Sequence, residues 1–302
     1  MPQEINDRPA RLAFIGFGEA ASAFLAGWGE DRPAHVAAFD IKTDDPALRS
    51  GMHDRYRAHD VAGADALDAA LDGADVVFSV VTADQALAAA RAAAPILPKG
   101  SLWLDCNSCA PDTKRQAAEA IEAAGGSYVD VAVMAPVHPK RHKVPLLVSG
   151  PHAAAARTTL LALGMCPEIA GEAVGQASAI KMIRSVMIKG LEALTAECFL
   201  AARRAGVEES VFASLQASDP DIDWRARTAY NLERMTVHGA RRAAEMREVA
   251  ATVAALGLPN GISAATALWQ DHLAGRGGDA GEGDAGGNDA LGSRLDAILA
   301  RL

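Results

Sequence analysis

Arg11-Leu-Ala-Phe-Ile-Gly16-Phe-Gly18-Glu-Ala-Ala21 is the stretch that decides the fold. A short apolar run meets G-x-G-x-x-A, and an alanine-rich segment of helical composition follows at once. In that setting Gly16 permits a tight turn, Gly18 lets the backbone approach a pyrophosphate, and Ala21 allows close helix–strand packing. The N–H groups across Phe17, Glu19 and Ala20, with the positive end of the helix dipole, complete an anion-binding turn. Asp40 closes the next apolar run, at the spacing where a carboxylate accepts bonds from ribose hydroxyls. Such a carboxylate repels a 2′-phosphate and favours NAD, while Lys42 offsets part of that repulsion and keeps NADP possible.

Outward from this turn, short apolar runs alternate with longer helical patterns, the rhythm of a parallel sheet covered on both faces. The pattern predicts strands over Arg11–Gly16, His35–Asp40, Asp75–Val81, Ser101–Cys106, Tyr128–Val133 and Pro145–Gly150. Helices are predicted over Ala20–Trp28, Asp84–Ala94 and Pro111–Ala124, the last with Ser108 or Asn107 near its cap. From about Gly175 helix follows helix: Gln176–Ala205, Asp223–Leu256, Ile262–Leu273 and Asp289–Leu302. The fold class expected is therefore α/β. A Rossmann-type doubly wound parallel sheet occupies residues 1–174, and an all-α domain occupies 175–302, with 275–289 a mobile linker rich in Gly and Asp.

The remaining composition narrows the function by exclusion. In 302 residues, half are apolar and 22% charged, ordinary for a globular chain and unlike a disordered or collagen-like one. The formal charge of −9 argues against nucleic acid or an anionic membrane as a partner. Neither a signal peptide nor an apolar run of membrane-spanning length is present, so a cytoplasmic location is expected. Cys106-Asn-Ser-Cys109 has C-x-x-C spacing, but with no second ligand pair it reads as two ordinary buried thiols rather than a redox or metal site. The eight histidines lack ligand spacing, so no metal is expected.

Two further segments carry chemistry. Val81 and Thr82 end a strand on the side where such sheets bind ligands, and either line the nicotinamide half of the site or simply pack. In Ser178-Ala-Ile-Lys181-Met-Ile-Arg184-Ser185-Val-Met-Ile-Lys189-Gly-Leu-Glu192, a largely apolar helix carries Lys181, Ser185 and Lys189 on one face, with Arg184 and Glu192 beside them. A polar stripe on a buried helix needs partners or a cavity, and a desolvated lysine among cations suits a general acid/base. The competing reading is ion pairing at a helix or subunit interface.

Taken together, these residues resemble the β-hydroxyacid dehydrogenases, which share their architecture with 6-phosphogluconate dehydrogenase. The resemblance spans nearly the whole chain. It rests on G-x-G-x-x-A, on Asp105-Cys-Asn107-Ser108-Cys-Ala-Pro111, on Asp130-Val-Ala-Val-Met134-Ala135-Pro136 and on the G-x-x-x-x-x-K that ends at Lys181. It implies hydride transfer between nicotinamide and a hydroxy acid or related alcohol or carbonyl compound, with Lys181 as acid/base. Asn107 would then reach the cofactor, and Ser108, Met134 and Ala135 the small-molecule substrate. Ser185, the second catalytic candidate beside Lys181, stands where the family usually has asparagine, and no Ser-Gly-Gly follows Asp130. His238 and Arg241, on the helix that bears the family's substrate-contacting lysine, are expected to replace the missing carboxylate cradle, unless they belong to a solvated face. These departures point to a branch marked by Lys-Met-x-Arg-Ser. A homodimer through the helical domain is expected from the apolar long helix. The alternatives are an imine reductase on the same scaffold and a non-catalytic NAD(H) sensor.

Overall fold

The computed structural model describes residues 9–277 and 288–302, so residues 278–287 of the expected linker lie outside the described residues. The chain separates into two compact units between Met182 and Ile183. That division lies eight residues past the expected 174/175 boundary (182 − 174 = 8) and inside one long helix.

The first unit alternates β1 (Arg11–Ile15), α1 (Glu19–Trp28), β2 (His35–Phe39), α2 (Pro46–Ala58), β3 (Ala62–Gly63), α3 (Leu67–Leu71), β4 (Val76–Ser79) and α4 (Ala86–Ala93). It continues through β5 (Leu102–Asp105), α5 (Pro111–Ala123), β6 (Ser127–Val133), β7 (Pro145–Ser149), α6 (Ala153–Ala162), β8 (Cys166–Gly171) and the start of α7 (Gln176–Arg204). The strands form one sheet in the order β3-β2-β1-β4-β5-β6-β7-β8. Every pairing is parallel except the β6–β7 pair. The strand order reverses at β1 and β4, the topological switch point of a doubly wound sheet.

Period-two alternation builds two cores, one on each face. Leu12, Phe14, Val76, Phe78, Leu102 and Leu104 join Phe24 and Trp28 of α1 on one side. Ala13, Ile15, Val77, Trp103 and Tyr128 meet Ala90, Ala117 and Ile121 of α4 and α5 on the other. Asp45 caps α2, accepting the N–H of Ala47 at 2.9 Å, with Pro46 in the first turn. The cap of α5 is Ala110, one residue before Pro111, rather than the expected Ser108 or Asn107, because both of those side chains are engaged elsewhere.

The second unit holds the rest of α7 with α8 (Glu208–Ser218), α9 (Trp224–Ala255), α10 (Gly261–Leu273) and α11 (Asn288–Leu299). Its core gathers Phe199, Phe212, Leu232, Met235, Leu273, Leu295 and Ile298, with the Phe199 and Phe212 rings stacked at 4.0 Å. Gly239 makes the close approach of α9 and α10 possible: a Cβ there would lie 2.5 Å from the Gln270 carbonyl oxygen. No helix among the described residues is long and apolar enough to cross a membrane.

Candidate active site

The carboxyl ends of β1, β2, β4, β5 and β6 bring most of the expected site residues to one edge of the sheet. Gly16 ends β1 with φ +86°, and a Cβ on it would lie 2.8 Å from the Val80 carbonyl oxygen, so glycine alone fits. Gly18 caps α1 with nothing within 4 Å of a Cβ position, leaving open space at the helix start. Phe17 differs from expectation. Its ring is buried in the core, its N–H donates to Asp40 Oδ2 at 2.8 Å and its carbonyl accepts from Arg55, so it shapes the turn instead of presenting a donor. Asp40 also accepts the Lys42 N–H at 3.0 Å, which ties the ribose-side carboxylate to both loops. Val81 and Thr82 follow β4, and the Thr82 hydroxyl bonds Asp84, holding that carboxyl below the usual range.

Below the end of β5 lies a polar network that sequence reading did not detect. Lys114 is fully buried and donates to the Asp105 carbonyl at 2.6 Å and to Asp105 Oδ1 at 2.9 Å, while Asp130 Oδ1 sits 3.4 Å away. Tyr128 donates its hydroxyl to Asp105 Oδ2 at 2.7 Å, and burial pushes that phenol well above its ordinary value. Burial alone would lower Lys114, but the surrounding negative groups, Asp105 foremost, hold its ammonium well above the ordinary lysine value. Asp130 collects the Ser149 and Ser178 hydroxyls and the N–H groups of Gly175 and Ser178. Asp130 to Val133 is therefore buried strand, and the expected substrate loop begins only at the half-buried Met134 and Ala135.

Two strictly local signals could have exposed this network. Asp105 and Asp130 each sit in an apolar strand, and a carboxylate there demands donors. Burial also pushes the Cys106 thiol up to about 12. Among the described residues no cluster of His, Cys, Asp and Glu is placed to hold a metal.

Lys181, in the second turn of α7, donates to Ser108 Oγ at 2.5 Å, joining helix and loop. Asn107 stands beside it at 3% exposure, its amide nitrogen donating to Ser79 Oγ at 2.9 Å and Asp105 Oδ1 at 2.7 Å. Because the Asp105 carboxylate only accepts, the amide nitrogen must face it, and Asn107 Oδ1 is left buried with no partner. That orphaned acceptor, with the open cradle at Gly18 and the helix start behind it, fits a dinucleotide whose carboxamide or ribose supplies a donor. A cavity of about 280 Å³ lined by Pro9, Asp75, Gly100, Ser127 and His152 opens instead at the amino ends of the strands, the wrong edge for such a ligand.

Ser185, His238 and Arg241 belong to the second unit. Ser185 is buried and accepts from Lys189 Nζ at 3.3 Å. Lys189 is ion-paired to Glu245 at 2.8 Å, and Arg242 meets Glu192 in a two-point contact, so the ion-pair reading of these stripe residues is the observed one. Arg184 is exposed and stands apart from it. On α9, His238 is half-buried, and Arg241, half-exposed, bonds Glu245 at 2.7 Å.

Comparison with known proteins gives this arrangement a context. Residues 11–170 match the NAD binding domain of 6-phosphogluconate dehydrogenase, and residues 202–273 match a domain of unknown function, DUF1932. A conserved hypothetical protein from Sinorhizobium meliloti 1021 is 41% identical, with 97% of each chain covered and a TM-score of 0.74. A conserved protein of unknown function, structurally similar to 3-hydroxyacid dehydrogenases, is 31% identical over 86% of this chain and 97% of its own, with a TM-score of 0.66. The 3-hydroxyisobutyrate dehydrogenase of Mycobacterium tuberculosis shares the fold at 18% identity, with 96% and 99% covered and a TM-score of 0.68.

Proposed function

The chain belongs to the family defined by the NAD binding domain of 6-phosphogluconate dehydrogenase, and from that premise we propose an oxidoreductase acting on CH–OH, with Lys181 as its acid/base. The observation that carries this reading is the Lys181–Ser108 bond of 2.5 Å at the strand edge that holds the glycine turn. Bound NAD, or NADP, supplies the hydride chemistry. The residues that would hold it are Gly16, Gly18, Glu19 and Ala20 at the phosphates, Asp40 at the ribose, and Val81, Thr82 and Asn107 toward the nicotinamide. Ser108 positions a substrate hydroxyl, and Lys181 takes up its proton on oxidation or returns it on reduction. Met134 and Ala135 border the same edge. Ser185 remains the second catalytic candidate, and His238 and Arg241 remain those for orienting the rest of a hydroxy acid or related alcohol or carbonyl substrate.

Cofactor-dependent turnover, screened over hydroxy acids, alcohols and amines, tests the reading. Lys181→Met is expected to lower turnover by about 10²-fold, the scale of a lost acid/base group, while NADH affinity holds. Full turnover in that variant would move the role to another group, and oxidation of amines but not alcohols would replace the alcohol reading with imine chemistry.

A second copy of the chain is the partner we infer. Ile183, Met187, Leu191 and Leu194 form one stripe of α7 at helical spacing, 42–64% exposed, a face that calls for cover. Sedimentation of the unmodified chain should return a dimer. A cytoplasmic location accords with the sequence reading.

A further inference from the structure

Asp112-Thr-Lys114-Arg115 opens α5 as a charged turn that composition alone would leave in solvent, yet Lys114 is fully buried against the end of β5 and the middle of β6. From Asp105 its network runs on through Oδ1 to the backbone N–H of Asn107 at 3.0 Å and to the Asn107 side chain, the residue before Ser108. From Asp130 it runs to the N–H groups of Gly175 and Ser178 at 3.1 and 3.0 Å and to the Ser178 hydroxyl at 2.5 Å. Ser178 lies one helical turn before Lys181. Both members of the Lys181–Ser108 pair are thus anchored, from opposite sides, on a single ammonium.

Holding β5 to β6 does not require this device, since the two strands already pair from Leu102↔Ser127 to Asp105↔Asp130. A buried ion cluster is also a costly way to gain stability, because apolar replacements of such clusters are often neutral or better. What the cluster adds is a tie between one loop and one helix start. We propose that Lys114 is a positioning residue for the Lys181–Ser108 pair, fixing loop Asn107–Ser108 through Asp105 and the first turns of α7 through Asp130. The proposal rests on the dehydrogenase reading, in which that pair handles the substrate proton.

The test is acetylation of Lys181 by acetic anhydride, mapped by mass spectrometry against the exposed Lys42 and Lys99 of the same molecule. Lys114→Met combined with Asp130→Asn removes the tie and leaves the net charge of the cluster unchanged, so a geometric effect is not confused with an electrostatic one. Ser178→Ala removes the shortest of the three bonds from Asp130 to the helix start, leaving the two backbone bonds and every buried charge in place, and decides the matter if the double variant does not fold. In both, relative labelling of Lys181 should rise by about fivefold, the fold-change of one lost hydrogen bond. Ser178→Thr, which keeps the hydroxyl, should label like the unmodified chain. Unchanged labelling in folded Ser178→Ala overturns the positioning role. Fluorescence titration of the unmodified chain with NADH and with NADPH separates the two readings, because absence of binding of both overturns the dehydrogenase reading whatever Lys181 does.

Discussion

Lys114 in the sheet unit and Lys189 in the helical unit are both buried lysines that face two carboxylates, and their ammonium groups respond in opposite directions. Lys114 donates to a carbonyl and to Asp105 with Asp130 behind, and is held above the ordinary lysine value. Lys189 is pushed below it: desolvation is the largest cause, Glu245 opposes, and the Arg242 guanidinium lowers it further. The difference lies in how the countercharge is shared. Among the described residues, Asp105 and Asp130 have no cation within salt-bridge distance except Lys114, whereas Glu245 divides its oxygens between Lys189 and Arg241, and Glu192 is taken up by Arg242. Burial pushes both ammonium groups down, and the net direction depends on how much unshared negative charge opposes it.

The largest effect expected from this contrast is on stability. Lys114→Met leaves two buried carboxylates without a cation and should cost about 3–5 kcal/mol in urea denaturation, the scale for removing one partner of a buried pair. Lys189→Met leaves Glu245 still bonded to Arg241 and should cost clearly less. Equal losses would show that the two clusters share their charge alike.

The same contrast explains what could be read from the sequence. The glycine turn was legible because its requirement is local: Gly16 needs its positive φ, and Asp40 follows at the spacing of the next strand end. Lys114 was not, because its partners lie nine and sixteen residues away and meet it only through the pairing of β5 with β6 (114 − 105 and 130 − 114). Periodicity also passed over α2, where Met52 and Tyr56 are the only buried anchors among charged residues. It missed β8 as well, an edge strand with Pro167 and an exposed Glu168 in place of an apolar run. In the helical unit the ion-pair alternative for Lys189 and Glu192 was in view, but the choice of Arg242 over Arg241 as the buried cation depends on rotation of α9, which a charged run does not reveal.

A second, smaller effect concerns pH. Folded Lys189 holds its proton less tightly than the unfolded chain does, so between its lowered value and the ordinary 10.5 the unfolded state binds more protons. The contribution of Lys189 to stability should therefore rise with pH across that window, by at most about 1.4 kcal/mol per pH unit, against the falling contributions of Cys106 and Tyr128, whose values folding raises, and Lys189→Met should remove that contribution. Lys114 contributes with the opposite sign. Its stabilisation is complete below 10.5 and is lost as pH climbs through its raised folded value, and like that of Cys106 and Tyr128 it is common to both proteins and cancels in their difference. Denaturation midpoints followed from pH 8 upward in both proteins measure this as a difference; a stability difference, unmodified chain minus Lys189→Met, that falls with pH would reverse the assignment for Lys189.

The smallest effect should come from Arg241, whose side chain is 52% exposed although its partner Glu245 is nearly buried. A pair with one solvated member is worth little, so Arg241→Lys should change stability by less than about 0.5 kcal/mol. Its influence should appear through Lys189 instead. Arg241 occupies Glu245 Oε1 while Lys189 sits on Oε2, and a lysine at 241, a point charge without the planar fork, holds that oxygen less firmly. More of the Glu245 charge then falls to Lys189, and the rise in the Lys189 contribution, read as the loss on adding Lys189→Met, should begin at higher pH in Arg241→Lys than in the unmodified chain. Should the profile stay in place while KM for the identified substrate rises and NADH affinity holds, the guanidinium serves the substrate rather than the cluster. With both profile and KM unchanged, Arg241 is part of a solvated helix face.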